Sequence, residues 1–171
     1  MEKELEEILV GKYPIIFKEY GGDIRETCMG WGMTCGDGWF TLLNDMCDDI
    51  NDLIGKKDIE VIAEQVKEKL GGLRFYYRVN YKLSLFNKIH FKIRDLMFRH
   101  GHGIIYWKVI NFRKKFFKTT VEKIEDVIRK AEGLSYKTCE SCGNPGTRRT
   151  ESYWIRTSCD NCDKIARKHK R

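Results

Sequence analysis

Apolar residues along the chain change period several times, and each change marks an element. Leu5, Ile8 and Leu9 fall at helical spacing within residues 2–10, which predicts a short amphipathic helix. An apolar, aromatic stretch from Tyr13 to Tyr20 follows, and Pro14 breaks or restarts the helix there. Gly21, Gly22, Gly30, Gly32, Gly36 and Gly38 predict a structural loop that carries Trp31 and runs into Trp39. These glycines match no phosphate-binding loop, since no Lys-Ser/Thr pair follows them. From Trp39 to Ile54, apolar residues recur in steps of three and four: Leu42, Leu43, Met46, Cys47, Ile50, Leu53 and Ile54. With Asp45, Asp48, Asp49 and Asp52 on the other sides, this predicts a helix that buries Cys47 and stops at Gly55.

Residues 59–66 and 73–79 read as two strands around Gly71-Gly72, with Phe75 and Tyr77 alternating with Tyr76 and Arg78. The first strand is ambiguous, because Val61, Ile62, Gln65 and Lys69 also suit a helix. Helical period returns over 83–99 in Phe86, Ile89, Ile93, Leu96 and Met97. A break at His100-Gly101-His102-Gly103 precedes a second basic stretch through Trp107 and Lys118. Val121, Ile124, Val127, Ile128 and Ala131 predict a helix over 120–132 that Gly133 ends. No internal repeat breaks the chain.

Two Cys-x-x-Cys pairs, Cys139/Cys142 and Cys159/Cys162, carry the strongest chemical signal. Zinc favours four tetrahedral thiolates, and each pair offers two sulfurs from one tight turn. Gly143 follows the first pair, Asn144-Pro145-Gly146 signals a turn, and a strand is expected from Glu151 to Ser158. Trp154 on that strand is placed to cover the metal. A helix over 160–170 would aim its N-terminal dipole at Cys159 and Cys162. Four protein ligands close the coordination sphere, so a structural Zn2+ is expected, with no position for water or substrate. The fold class that follows is α+β: a helix-rich body (1–133) with a short β-hairpin and a basic insertion near 80–120. A zinc module (134–171), treble-clef-like or a zinc ribbon, completes it.

Charge is segregated along the 171 residues. Residues 1–73 hold eight Lys/Arg against sixteen Asp/Glu, whereas 74–120 hold twelve Lys/Arg against Asp95 alone. Twelve aromatic residues interleave with those twelve cations. Basic surfaces with aromatic platforms bind nucleic acid, through Arg74, Arg78, Lys88, Lys92, Arg99, Lys108, Arg113, Lys114, Lys115 and Lys118, with Arg167 and Lys168 of the tail. The competing reading is that the acidic and basic halves face each other and that the aromatics are core. A basic amphipathic helix also suits an anionic lipid surface. A zinc centre of four thiolates carries a net charge of about −2, which makes the tail less basic than its formal charge.

Other constellations are thinner. His100 and His102 make an incomplete metal site, and Cys28 and Cys35 read as buried thiols. No catalytic triad order and no metal-hydrolase His-Glu pattern is present, so no catalytic residue is assigned. No run of about 18 apolar residues suggests a membrane span. The acidic, amphipathic start from Met1 to Glu7 lacks the basic, apolar character of an export signal, so the cytoplasm is expected. Seven cysteines, four of them at metal spacing, agree with a reducing compartment.

Cys35-Gly-Asp-Gly-Trp39-Phe40, Gln65-Val-Lys-Glu-Lys-Leu-Gly-Gly-Leu-Arg-Phe-Tyr76 and Ser135-Tyr-Lys-Thr-Cys-Glu-Ser-Cys-Gly-Asn-Pro-Gly146 resemble a group of small phage and prophage proteins of unknown function. The resemblance covers roughly residues 30–79 and 124–162, and the basic stretch near 80–120 departs from it. By analogy with phage accessory proteins, it implies a non-enzymatic binder of nucleic acid or a host nucleoprotein, acting in the host cytoplasm as a counter-defence inhibitor. An inhibitor of a host enzyme that contacts no nucleic acid is the alternative, and a metal-dependent nuclease the third.

Overall fold

A two-stranded antiparallel hairpin contributes to the hydrophobic core, and both the N-terminal loop and the long helix hydrogen-bond to its edges. The structure, a computed structural model, describes residues 1–55, 59–81, 103–151 and 154–168, and for 81 and 103–118 the backbone element only. Strand β1 (Ile59–Lys69) pairs with β2 (Gly72–Tyr81) from Ile59↔Tyr81 to Lys69↔Gly72, with a bulge between Ala63 and Gln65. The ambiguity over the first strand resolves as β. The connection is Leu70-Gly71, both at positive φ (53° and 80°), so the turn lies one residue earlier than expected and Gly72 joins the ladder.

Helix α1 (Lys3–Lys12) ends before Pro14, and residues 14–21 form turns rather than a second helix. Leu9 is buried as expected, but Ile8 is 54% exposed and Glu6 is buried in its place. The Glu6 carboxylate is satisfied there, accepting from the Met33 amide (2.8 Å) and the Tyr20 hydroxyl (2.7 Å). The glycine-rich stretch is a loop with two 3-10 turns, Cys28–Trp31 and Asp37–Trp39. Cys35 is buried, whereas Cys28 is exposed, contrary to the expectation for that thiol. Helix α2 (Phe40–Ile54) buries Leu43, Met46, Cys47, Ile50 and Ile54 on one face.

Helix α3 (Gly103–Ser135) is continuous. It includes the second basic stretch and runs through Gly133, where a stop was expected. Ile124, Ile128 and Ala131 pack into the same core as α2 and the hairpin. The free edge of β2 is then capped by α3 side chains: the Leu73 amide donates to Ser135 Oγ (2.9 Å) and the Phe75 amide to Glu132 Oε1 (3.0 Å). The edge of β1 is met by the loop, with the Thr34 amide donating to the Val66 carbonyl and the Glu68 amide to that of Thr34, each at 2.9 Å. These contacts occupy the β2 edge at Leu73 and Phe75 and the β1 edge at Val66 and Glu68, where another strand would otherwise pair. The expected helix over 83–99 and the His100–His102 break lie outside the described residues.

A second hairpin, β3 (Thr147–Arg149) with β4 (Arg156–Ser158), and helix α4 (Asp160–Lys168) complete the chain. Within the segment expected as a strand, only 156–158 is assigned to one among the described residues. Helices and two small antiparallel hairpins make the fold α+β. No helix among the described residues is long and apolar enough to cross a membrane.

Candidate metal centre

After α3 the chain folds into a tight loop. The Gly143 amide donates to the Cys139 carbonyl (2.9 Å), and the Cys139 amide to that of Asn144 (2.7 Å). Gly143 adopts φ +76°, a conformation that disfavours a side chain. This knuckle presents Cys139 and Cys142. Strand β4 then delivers Cys159 at its end, and the first turn of α4 delivers Cys162, whose amide points at Cys159 Sγ (3.4 Å). Knuckle, hairpin and helix follow in the treble-clef order.

The four sulfurs lie within 4.8 Å of one another, with Cys142 Sγ and Cys159 Sγ at 3.7 Å. A tetrahedral ion with metal–sulfur bonds of about 2.3 Å requires sulfur–sulfur edges of about 3.8 Å. The same distances are far beyond a disulfide bond of about 2.05 Å, and all seven cysteines are free. The donor set therefore fits a tetrahedral, thiophilic cation.

Electrostatics points the same way. Burial raises the Cys139 thiol, but backbone hydrogen bonds from Cys159, Cys142 and Ser141 together outweigh it and bring it to about 7. Cys162 is pushed up, first by its hydrogen bond to Cys142 and then by burial. Four neighbouring thiols cannot all ionise against one another unless a cation compensates them. On the strands leading to Cys159, Arg149 Nε, Arg156 Nε and Ser158 Oγ are buried without a hydrogen-bond partner.

Salt bridges hold the helix to the hairpin. Arg149 and Arg156 are cross-strand partners, and each reaches the first turn of α4: Arg149 to Asp160, and Arg156 to Asp163 at 2.7 Å. Arg167 donates to the same Asp163 (2.7 Å), whose carboxyl is held below its usual range chiefly by Arg156. Trp154, expected over the metal, is 60% exposed.

Residues outside the cysteine pairs, which pattern reasoning did not assign to the site, dock it on the body. Gly36 and Gly38 press against the knuckle: a Cβ at Gly38 would lie 2.2 Å from the Cys139 carbonyl oxygen and 2.3 Å from the Gly143 nitrogen. The Gly38 amide donates to the Glu140 carbonyl (2.8 Å), the Gly36 amide to Glu140 Oε1 (3.0 Å), and Trp39 Nε1 to the Thr138 carbonyl (2.9 Å). On the other side, β3 and β4 clasp the Leu70-Gly71 turn through Arg148 Nε to the Leu70 carbonyl (2.9 Å) and Thr157 Oγ1 to the Gly71 carbonyl (2.5 Å). The Cys35–Phe40, Gln65–Tyr76 and Ser135–Gly146 segments thus meet at one place. The available signal was the Gly-x-Gly spacing beside Cys35, which marks a close backbone approach.

No family model, curated protein or solved structure matches the chain.

The basic residues assigned to a partner are placed as follows. Arg74 stacks on Tyr136, with Arg148 over the same ring, and donates to the Tyr136 hydroxyl (2.6 Å). Arg78 pairs with Glu19 and with Glu64 (3.3 Å), so here the basic strand meets acidic residues of the N-terminal half. Lys108, Arg113, Lys114, Lys115 and Lys118 belong to α3, but their side chains lie outside the described residues, as do Lys88, Lys92 and Arg99 entirely. Arg167 is paired with Asp163 and Glu151, and Lys168 is exposed.

Proposed function

We propose that Cys139, Cys142, Cys159 and Cys162 hold one structural Zn2+, and that the protein works by binding nucleic acid or a nucleoprotein rather than by catalysis. The observation that carries the reading is the four-sulfur set at the meeting point of the Gly36–Trp39 loop, the Leu70-Gly71 turn and the end of α3. Four thiolates leave the ion no free coordination position, so its contribution is folding energy and a fixed geometry. Zinc suits the set because it accepts tetrahedral thiolate ligation without a redox change.

The partner reading rests on α3. Its Gly103–Lys118 portion carries five Lys/Arg and no Asp/Glu, on a helix of 33 residues that spans about 50 Å. Phosphate neutralisation by such a helix is independent of base sequence and weakens steeply with salt. In keeping with the phage-group resemblance, the partner would belong to an infected host, and binding would disable a host defence. The test is fluorescence anisotropy with labelled DNA and RNA across a salt series. Expected are a linear fall of log affinity with log salt and a shallower slope for Lys114→Glu with Lys115→Glu. Salt-independent binding, or none at low salt, would overturn the nucleic-acid reading.

A further inference from the structure

A groove of about 390 Å3 runs between α2 and α3 and is also lined by Thr138 and Gly143 of the knuckle and by Gly38 of the loop docked against it. Its floor is apolar: Leu42 and Met46 from α2, Val127, Ala131 and Leu134 from α3. Leu134 is 46% exposed although it sits on a helix whose neighbouring turns are packed into the core. Asp45 and Asp49, one helical turn apart, stand on the α2 side, and Lys130 stands on the α3 side.

These charges are left uncommitted by the fold. Asp45 has only a 3.3 Å contact from Asn44 Nδ2, and among the described residues neither Asp49 nor Lys130 has a hydrogen-bond or ion-pair partner. Asp48 on the same helix differs, because Lys12 binds it at 2.8 Å. A groove with an apolar floor and two carboxylates against one ammonium on its rim repels phosphate and attracts an apolar group that carries a cation. The α2 wall from Thr41 to Asp49 is about 12 Å long, the span of two helical turns. That length accommodates two apolar side chains one turn apart on a docked helix.

We propose that this groove docks an amphipathic segment of a partner protein, with two apolar anchors on the floor and a lysine or arginine against Asp45 and Asp49. The proposal does not depend on the nucleic-acid reading, since it uses other residues of the chain and the opposite sign of charge. If both hold, the protein grips a nucleoprotein by its two components.

The test uses the full chain and two fluorescein-labelled, amidated helical peptides of about 12 residues. Both carry leucines at i, i+3, i+4 and i+7; one has lysine flanks and the other glutamate flanks. The lysine peptide is expected to bind at least about tenfold more tightly. Asp45→Lys with Asp49→Lys should reverse that preference, and Leu134→Glu should weaken binding by about tenfold or more. Asp52→Lys, an exposed change on α2 outside the groove, should alter it by less than about twofold. All these positions are exposed, and circular dichroism of each variant checks that the fold is retained. Equal binding of the two peptides, no binding of either, or a preference that survives the double reversal would overturn the proposal.

Discussion

The indole Nε1 of Trp39 donates a 2.9 Å hydrogen bond to the carbonyl oxygen of Thr138, the residue before the first cysteine of the cluster. Trp39 is fully buried and directly precedes α2, so one side chain ties the start of that helix to the knuckle. Trp39→Phe keeps most of the ring volume but leaves that carbonyl without its donor. A loss of about 1–3 kcal/mol is expected, read as a lower urea midpoint at unchanged slope.

Gly38 is a harsher test of the same contact. A single methyl there would overlap the backbone of Cys139, Cys142 and Gly143, none of which is a flexible side-chain end. Gly38→Ala should cost about 3 kcal/mol or more and weaken metal retention against a competing chelator. Gly133→Ala has nothing within 4 Å of its new methyl. It should stabilise α3 by up to about 1 kcal/mol.

How far the chain could be read beforehand follows from which contacts are local. The steps of three and four from Leu42 to Ile54 come from one helix lying on one core, and the two Cys-x-x-Cys pairs are local turns; both were legible. The bulge at Glu64 was not: it passes the core-facing position from Val61 and Ala63 to Val66, and Ile62 is buried outside that core cluster, so the alternation of a strand is erased. Leu70 at positive φ carries no sequence signal, and Arg148 and Thr157 of the second hairpin hold that turn from 78 and 86 residues away. Gly133 failed as a stop because its cost, about 1 kcal/mol, is outweighed where Glu132 and Ser135 cap the edge of β2. Buried Glu6 was hidden for the same reason, since its partners Tyr20 and Met33 are distant in sequence.

Acid should loosen the contact between β2 and the N-terminal segment. The Arg78 guanidinium holds the Glu19 carboxyl below its ordinary value. A depressed carboxylate contributes stability above its unfolded pKa, and that contribution is lost as pH falls through the folded value. Both side chains are partly exposed, so the pair is worth less than about 1 kcal/mol. Glu19→Gln should therefore be slightly less stable than the wild type at pH 7, and the difference should shrink at an acid pH below the ordinary glutamate value of about 4.3. Urea midpoints at the two pH values check this.

Zinc-edge X-ray absorption on the protein purified under reducing conditions addresses the metal centre most directly. One zinc per chain with four sulfur neighbours at about 2.3 Å is the expected result. A folded protein without zinc, or a first shell containing nitrogen or oxygen, would contradict a closed centre built from Cys139, Cys142, Cys159 and Cys162.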